Sequence, residues 1–484
     1  MKLEISKSSN PNYLATICKV TNLTPIPNSD NLLKSTINGY DMIISKDTCI
    51  GDIVVYFPCE SKISEKYLSS NNLYCQSDCE LNANYSEVKK LMDENNNTAN
   101  LTIIEENLRK IRSMCGFFSK NNRVRVVKLR GEYSEGFIAP VSSLELAYPT
   151  AAGTDWNNYV GTQFDIIDGN LIVEKYLPYK AVQESSKNSR FNKNMKKLKK
   201  FDRIIPGTFS FHYDTRMLAE HVDEINPNDT ISISVKIHGT SAVFAKVPVK
   251  RELTLKEKIK KFFGLEVNDI EIGEVYSSHS VIKNKYINKD AKPGFYGEDV
   301  WGVVAKYIFP CMNDYMTVYG EICGYMPNSA TFIQKNHDYG CRTGEWKFMP
   351  YRITTLMANG EFFEWDLDNV RDWTLRMIDE HPDLKDRLMP PTILYIGQAK
   401  SVFSDIPVDD NWRANFLNAL KTSYDWIGME KNEPLCKNKV PREGIVIRIV
   451  HDKFPRAWKL KSKAHYALAT KMHDNNEVDI EEQS

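Results

Sequence analysis

The sequence predicts an α+β fold: a small N-terminal β-barrel, then a larger antiparallel-sheet domain carrying helical insertions. Three observations predict it. Short runs of alternating apolar and polar residues, separated by Gly, Pro and Asn clusters, recur before residue 165. A second series of alternating runs begins at Ile231-Ser232-Ile233-Ser234-Val235-Lys236 and ends at Trp458-Lys459-Leu460-Lys461. Stretches with helical spacing interrupt that second series. At 484 residues the chain has room for two or three domains.

In the first part, residues 14–20, 40–44 and 52–57 each read as a strand, with Pro25-Ile26-Pro27-Asn28-Ser29-Asp30 as a turn cluster. Residues 122–130 alternate again, and Gly131 to Gly136 bend them into Phe137-Ile138-Ala139-Pro140. Short strands with Gly bends describe an oligonucleotide-binding (OB-like) barrel over 1–165. Residues 67–120 read as a decoration of it, helical from 85 to 111 with an Asn-Asn-Asn break at 95–97. Arg123, Arg125, Lys128 and Arg130 would line or flank the polar side of one strand. Such a ladder suits a phosphate backbone, and an ordinary solvated face is the other reading.

Residues 166–230 read as a linker and lead-in. The basic stretch 185–203 includes Lys196, Lys197, Lys199 and Lys200, which suit either a plain linker or a cationic strap along nucleic acid. In the second part, Lys236 ends a strand on its polar face, just before a His238-Gly239 turn where backbone can approach a ligand closely. Residues 256–263 read as a short basic amphipathic helix within an insertion, followed by an acidic stretch, 266–274. Helices are expected at 365–378, 381–389, 412–427 and 464–471, and 472–484 as an acidic tail.

Composition narrows the setting without naming a partner. Lys plus Arg equal Asp plus Glu at 63 each, so net charge is neutral and any basic surface is local. No apolar run approaches the roughly 18 residues that a membrane span needs, and the N-terminus lacks a secretory signal, so no membrane partner and an intracellular, cytoplasmic (or nucleoplasmic) setting are expected. The ten cysteines are scattered without zinc-finger spacing, which predicts reduced thiols and no structural zinc.

Five segments in order carry a resemblance. Lys236-Ile237-His238-Gly239-Thr240-Ser241 resembles the nucleotide-binding lysine motif of the covalent nucleotidyltransferases (ligases and capping enzymes). Tyr319-Gly320-Glu321-Ile322-Cys323-Gly324 resembles their G-E-x-x-G element, and 348–353 their aromatic strand. Glu443-Gly444-Ile445-Val446-Ile447-Arg448 resembles E-G-x-V-x-K/R, and Lys459-Leu460-Lys461 the closing K-x-K. The resemblance implies an ATP-grasp-like ligase domain over 231–471. The K-I-H-G-T form is similar to that of type 2 RNA ligases, and an OB-like domain ahead of the lysine to the arrangement in type 5 enzymes.

What the resemblance implies is a three-step chemistry. The Lys236 amine attacks the α-phosphorus of ATP, expelling pyrophosphate and forming lysyl-AMP; AMP passes to a 5′-phosphate; a 3′-hydroxyl then displaces AMP. A free lysine titrates near pH 10.4, so Lys236 must be made neutral, and nearby cations such as Lys459 and Lys461 serve that end while also bearing on phosphate. Glu443 and Glu321 are the implied ligands of Mg2+ or Mn2+. Tyr351 would stack on the purine and Val446 pack against its other face, although Glu443 and Val446 have opposite parity along a flat strand. His238 replaces the commoner Asp beside phosphate or metal. His279 stands where relatives carry an arginine. The expected protein is thus a monomeric ATP-dependent RNA ligase acting on RNA, nicked duplex or RNA/DNA hybrid. A DNA ligase, a capping-type enzyme and an inactive nucleic-acid-binding protein are the alternatives.

Overall fold

A computed structural model describes residues 1–7, 9–27, 29–177, 203–212, 215–283, 299–422, 432–451 and 456–474. The chain forms two compact units, Met1–Leu177 and Pro178–Ser484.

In the N-terminal unit β1 (Ala15–Lys19), β3 (Tyr40–Ser45) and β4 (Ile53–Phe57) form where strands are predicted, in runs rich in β-branched and aromatic residues, and β2 (Leu32–Ile37), which is not predicted, pairs with β3. The decoration folds as a helical hairpin, α1 (Tyr85–Asn96) and α2 (Leu101–Met114). The Asn run ends α1, and the Asn100 side chain caps α2 by accepting from the Thr102 N–H. The predicted strand at 122–130 is split: Arg123 bridges to Lys62, with the Val124 N–H donating to the Ser61 carbonyl, while β5 (Val126–Leu129) pairs with β6 (Glu132–Glu135), and β7 (Phe137–Pro140) then joins β4. Arg130 (φ +52°) and Gly131 (φ +90°) make a two-residue loop with both φ positive, which matches the twist of a hairpin. Among the described residues these strands are shared between separate sheets of two to four strands, and none closes into the expected barrel.

The C-terminal unit is built on two five-stranded sheets. The first runs β8 (Arg216–Met217), β17 (Ala457–Lys461), β16 (Gly444–Ile449), β9 (Thr230–Lys236) and β15 (Ile393–Gln398) from edge to edge. The second runs β11 (Ile270–Ser277), β10 (Thr240–Lys250), β12 (Met316–Gly324), β13 (Trp346–Leu356) and β14 (Phe362–Glu364). Between β10 and β11 lies helix α3 (Leu255–Phe262). Helices α4 (Val300–Ile308) and α5 (Leu367–Glu380) cover one face of the second sheet: Phe244, Val318 and Phe348 from the strands meet Trp301, Val304 and Trp373 from the helices in one buried cluster. The strands alternate, so the other face presents Ser241, Tyr319, Glu321 and Tyr351. A smaller apolar cluster, in which Val235 and Ile237 meet Cys323 and Met349, holds the two sheets together where the chain passes from β9 to β10. Helix α6 (Trp412–Thr422) and the closing helix α7 (Lys463–Asp474) complete the described unit. The acidic stretch at 266–274 is partly strand, its second half forming the start of β11.

Candidate active site

Lys236 is delivered to the junction of the two sheets by strand register. Lys236 pairs with Gly444 and Gly444 with Lys461; one row along, Ser234 pairs with Val446 and Val446 with Lys459. Cross-strand partners share a face, so Lys236, Val446, Lys459 and Lys461 all stand on the same side of the first sheet. The sequence alternation made that side polar. The structure shows that it is also closed over, with Ser232 and Ser234 buried.

Glu443 sits at the centre. One carboxylate oxygen lies 2.9 Å from the Lys236 Nζ, the other 3.1 Å from the Lys461 Nζ, and the side chain is inaccessible to solvent. The parity conflict is resolved by Gly444, which opens β16 with φ +157°. A β-carbon there would lie 2.0 Å from the Leu460 carbonyl oxygen, so only glycine lets β17 come so close. Glu443 therefore precedes the regular strand and turns onto the face that its number alone would deny it.

Burial opposes ionisation of Glu443, yet the Lys236 and Lys461 ammonium groups, with His238, hold its carboxyl well below the usual range. Three histidines that the sequence leaves far apart converge here. The His238 Nδ1 lies 3.7 Å from Glu443 and the His465 Nε2 4.0 Å from it. The rings of His337 and His465 each lie 4.8 Å from that of His238. Burial pushes the His465 imidazole well down and His337 down to about 4, so both are neutral at physiological pH. The ligand atoms of His238, Glu443 and His465 fall within 4.8 Å of one another, a set able to hold a metal ion; Glu321 is not part of it.

Local sequence explains these placements. Ser462, between β17 and α7, donates its N–H to the Glu443 carbonyl and caps α7 by accepting from the His465 N–H at 3.1 Å. The cap fixes His465 in the first helical turn, beside Glu443. The His238 N–H donates to the Tyr339 hydroxyl at 2.8 Å, and Gln334 Nε2 donates to the Gly239 carbonyl at 2.9 Å. A β-carbon on Gly239 would meet the Ile322 carbonyl oxygen at 2.5 Å, so the turn lies hard against β12. Glu321, buried on β12, accepts from the Ser241 hydroxyl at 3.1 Å.

Around Tyr351 a second group forms. The Arg448 Nη1 donates to the Tyr351 carbonyl at 2.7 Å and joins the two sheets, while the Tyr351 hydroxyl lies 3.3 Å from the His212 Nδ1. The His279 ring lies 5.4 Å from that of His212. Lys283 is drawn over the Trp301 ring at 4.7 Å, and burial lowers its pKa. His212, His337, His465 and Tyr339 were invisible as site residues in the sequence, where each is an isolated aromatic or imidazole without periodic context.

The predicted basic ladder of the N-terminal unit is divided. Arg123 does not face solvent: its side chain is fully buried, 3.6 Å from Glu60 and beneath the Tyr176 ring. Arg125 is half-buried and lines an apolar recess of about 930 Å³ together with Met42, Phe117 and Phe137. Lys128 and Arg130 are exposed on the β5–β6 hairpin, with Lys128 4.9 Å from the Tyr133 ring. Lys196, Lys197, Lys199 and Lys200 lie outside the described residues.

No family model matches the chain, and no curated protein matches it. Solved structures do. A lysine-to-alanine mutant of Naegleria gruberi RNA ligase with ATP and Mn aligns over 94% of this chain and 98% of its own, at 15% identity and a TM-score of 0.50. A lysine-to-methionine mutant of that ligase with AMP and Mn gives the same figures. Another lysine-to-alanine mutant, solved apo, aligns over 94% and 97%, again at 15% identity and 0.50. The likeness spans nearly the whole of both chains, and what it shows is that this protein shares their fold.

Proposed function

We propose that the chain is an ATP-dependent RNA ligase that seals 3′-hydroxyl and 5′-phosphate ends through lysyl-AMP and an adenylylated 5′ end. The observation that carries this reading is the buried Glu443 carboxylate gripped by Lys236 and Lys461 at the junction of two sheets. The fold shared with an RNA ligase solved with ATP and Mn supports it. So do the five sequence segments, four of which meet around one site.

In this reading Lys236 forms the N–P bond to the α-phosphorus as the bond to pyrophosphate breaks. Lys459 and Lys461 face the same side and neutralise charge on the phosphates. Tyr351 and Val446 flank the base, with Glu321, Gly239, His238 and His279 around ribose and phosphates. The donor set is mixed: the Glu443 carboxylate suits a hard cation such as Mg2+ or Mn2+, whereas the imidazole nitrogens of His238 and His465 suit a transition ion, so the set as a whole fits Mn2+ better than Mg2+. Such an ion supplies Lewis-acid charge against phosphate oxygens when bound. A nucleophilic amine must offer its lone pair to phosphorus, whereas the Lys236 Nζ donates to the Glu443 carboxylate at 2.9 Å, so attack requires that pair to open. The OB-like reading of residues 1–165, with Arg125, Lys128 and Arg130 toward RNA, belongs to the same proposal, as does action by a monomer.

Incubation with labelled ATP and Mg2+ or Mn2+ tests it. An acid-stable protein–AMP adduct is expected, abolished by Lys236→Ala, followed by sealing of nicked RNA in preference to nicked DNA. Absence of the adduct in the unmodified chain would leave the binding-protein alternative.

A further inference from the structure

Helix α3 is attached to the protein by the wrong face for a water-soluble helix. At about 100° per residue, Leu255, Ile259 and Phe262 fall on one stripe (i, i+4, i+7), and Phe263 continues it. A surface helix ordinarily buries that stripe. Here the polar side is the one tied down: Arg251 grips Glu257 through both terminal guanidinium nitrogens, Lys261 pairs with Asp269, and Thr254 and Glu257 form a reciprocal cap. The apolar side is left in water, with Leu255 76%, Ile259 51%, Phe262 85% and Phe263 73% exposed. Leu265, just beyond, is 58% exposed. Exposed Lys256, Lys258 and Lys260 border the stripe.

We propose that α3 is a membrane-surface anchor that lays this stripe into the interface of a bilayer bearing anionic phospholipid. The observation that selects a bilayer is the pairing of two surfaces on one helix. Phosphate-bearing headgroups complement the three lysines, and the acyl boundary takes up the phenylalanines and aliphatic side chains beneath them. RNA would satisfy the lysines and leave the stripe in water. A second copy of the chain would cover the stripe and bring the two rows of lysines together. Long lysine stems reach outward past an inserted apolar face, which is the arrangement on α3. Spanning a membrane needs about 20 apolar residues, and no described helix is long and apolar enough to cross one; lying in its surface needs only a stripe.

The placement leaves the candidate active site free. Strand β10, about 34 Å long at the rise of an antiparallel strand, has the Gly239 turn at one end and leads to α3 from the other, so anchoring by α3 engages the end of the strand away from that site. The proposal stands independently of the ligase reading.

The test is co-flotation of the full chain with unilamellar vesicles of phosphatidylcholine alone or mixed with phosphatidylserine. Capture by mixed vesicles is expected to exceed capture by neutral ones by roughly tenfold or more, and to weaken as salt is raised. Ile259→Asp with Phe262→Asp should lower that capture by about tenfold or more. Each of Lys256→Ala, Lys258→Ala and Lys260→Ala should lower it by roughly fivefold. Circular dichroism and adenylate formation in the same preparations show that these exposed substitutions leave the fold and active site intact. Equal capture by both compositions, or capture unchanged in the stripe variant, overturns the proposal. So does self-association of the unmodified chain that the stripe variant abolishes, or a loss of RNA retention exceeding the loss of vesicle capture. A missing adenylate in the unmodified chain would count against the ligase reading and leave this result untouched.

Discussion

Replacing Glu443 by Gln keeps the shape of the side chain and removes the charge that two ammonium groups share. At an effective dielectric of about 20, an ion pair near 3 Å has a gross attraction of about 5 kcal/mol, and desolvation of the carboxylate offsets much of it. The substitution leaves Lys236 and Lys461 facing each other across a neutral amide. Removing one member of a buried pair costs roughly 3–5 kcal/mol. The lysine side chains are 15% and 20% exposed and regain some hydration, so the low end, about 3 kcal/mol, is expected. Urea unfolding read by tryptophan fluorescence suits the measurement, because of the eight tryptophans all but Trp156 lie in the C-terminal unit. The midpoint should fall with little change in slope. The pH arm has a definite sign. Glu443 titrates well below its ordinary 4.5 in the folded protein, so the unfolded chain binds the extra proton. The stability it contributes is complete above about 4.5 and is lost as pH falls through the folded value. Glu443→Gln should flatten that part of the acid limb. A loss under about 1 kcal/mol, or an acid limb identical to that of the unmodified chain, would refute the account of Glu443 as a buried, doubly paired anion.

Gly444→Ala introduces a β-carbon against the Leu460 carbonyl in a backbone region that favours glycine; a loss of about 2–4 kcal/mol is expected, with a fall in adenylate yield, from denaturation and labelling side by side. His337 is 1% exposed and held neutral down to about 4, so stability should fall as pH drops from 6.5 toward that value, by about 3 kcal/mol in all, and His337→Gln should remove this limb of a pH–stability curve. Arg123→Met strands Glu60 in the N-terminal core and should cost roughly 3 kcal/mol by calorimetry, leaving RNA retention by the folded protein unchanged. Lys128→Ala should do the reverse, preserving stability while weakening RNA retention and its salt dependence.

Local pattern determined much of this protein. The period-two run 231–236 specified strand β9 and put Lys236 on its polar face, and the same arithmetic put Lys459 and Lys461 together on β17. The Asn cluster at 95–97 ended one helix, and 256–263 announced α3 as basic and amphipathic. These features depend on neighbours within a few residues, where chain geometry fixes direction. The tertiary structure decided the rest. Arg123 and Arg125 look equivalent in a ladder, yet one is swallowed by Glu60 and Tyr176 and the other lines a recess, because burial depends on what packs from elsewhere. The strands before residue 165 form separate sheets, since pairing partners are set by long-range contacts. His238, His337 and His465 share a site only because a turn, a loop and a helix cap bring them to Glu443. The outward stripe of α3 was also beyond sequence reading: amphipathicity gives a helix two faces, and only the ion pairs of Arg251 and Lys261 determine which of them meets the protein.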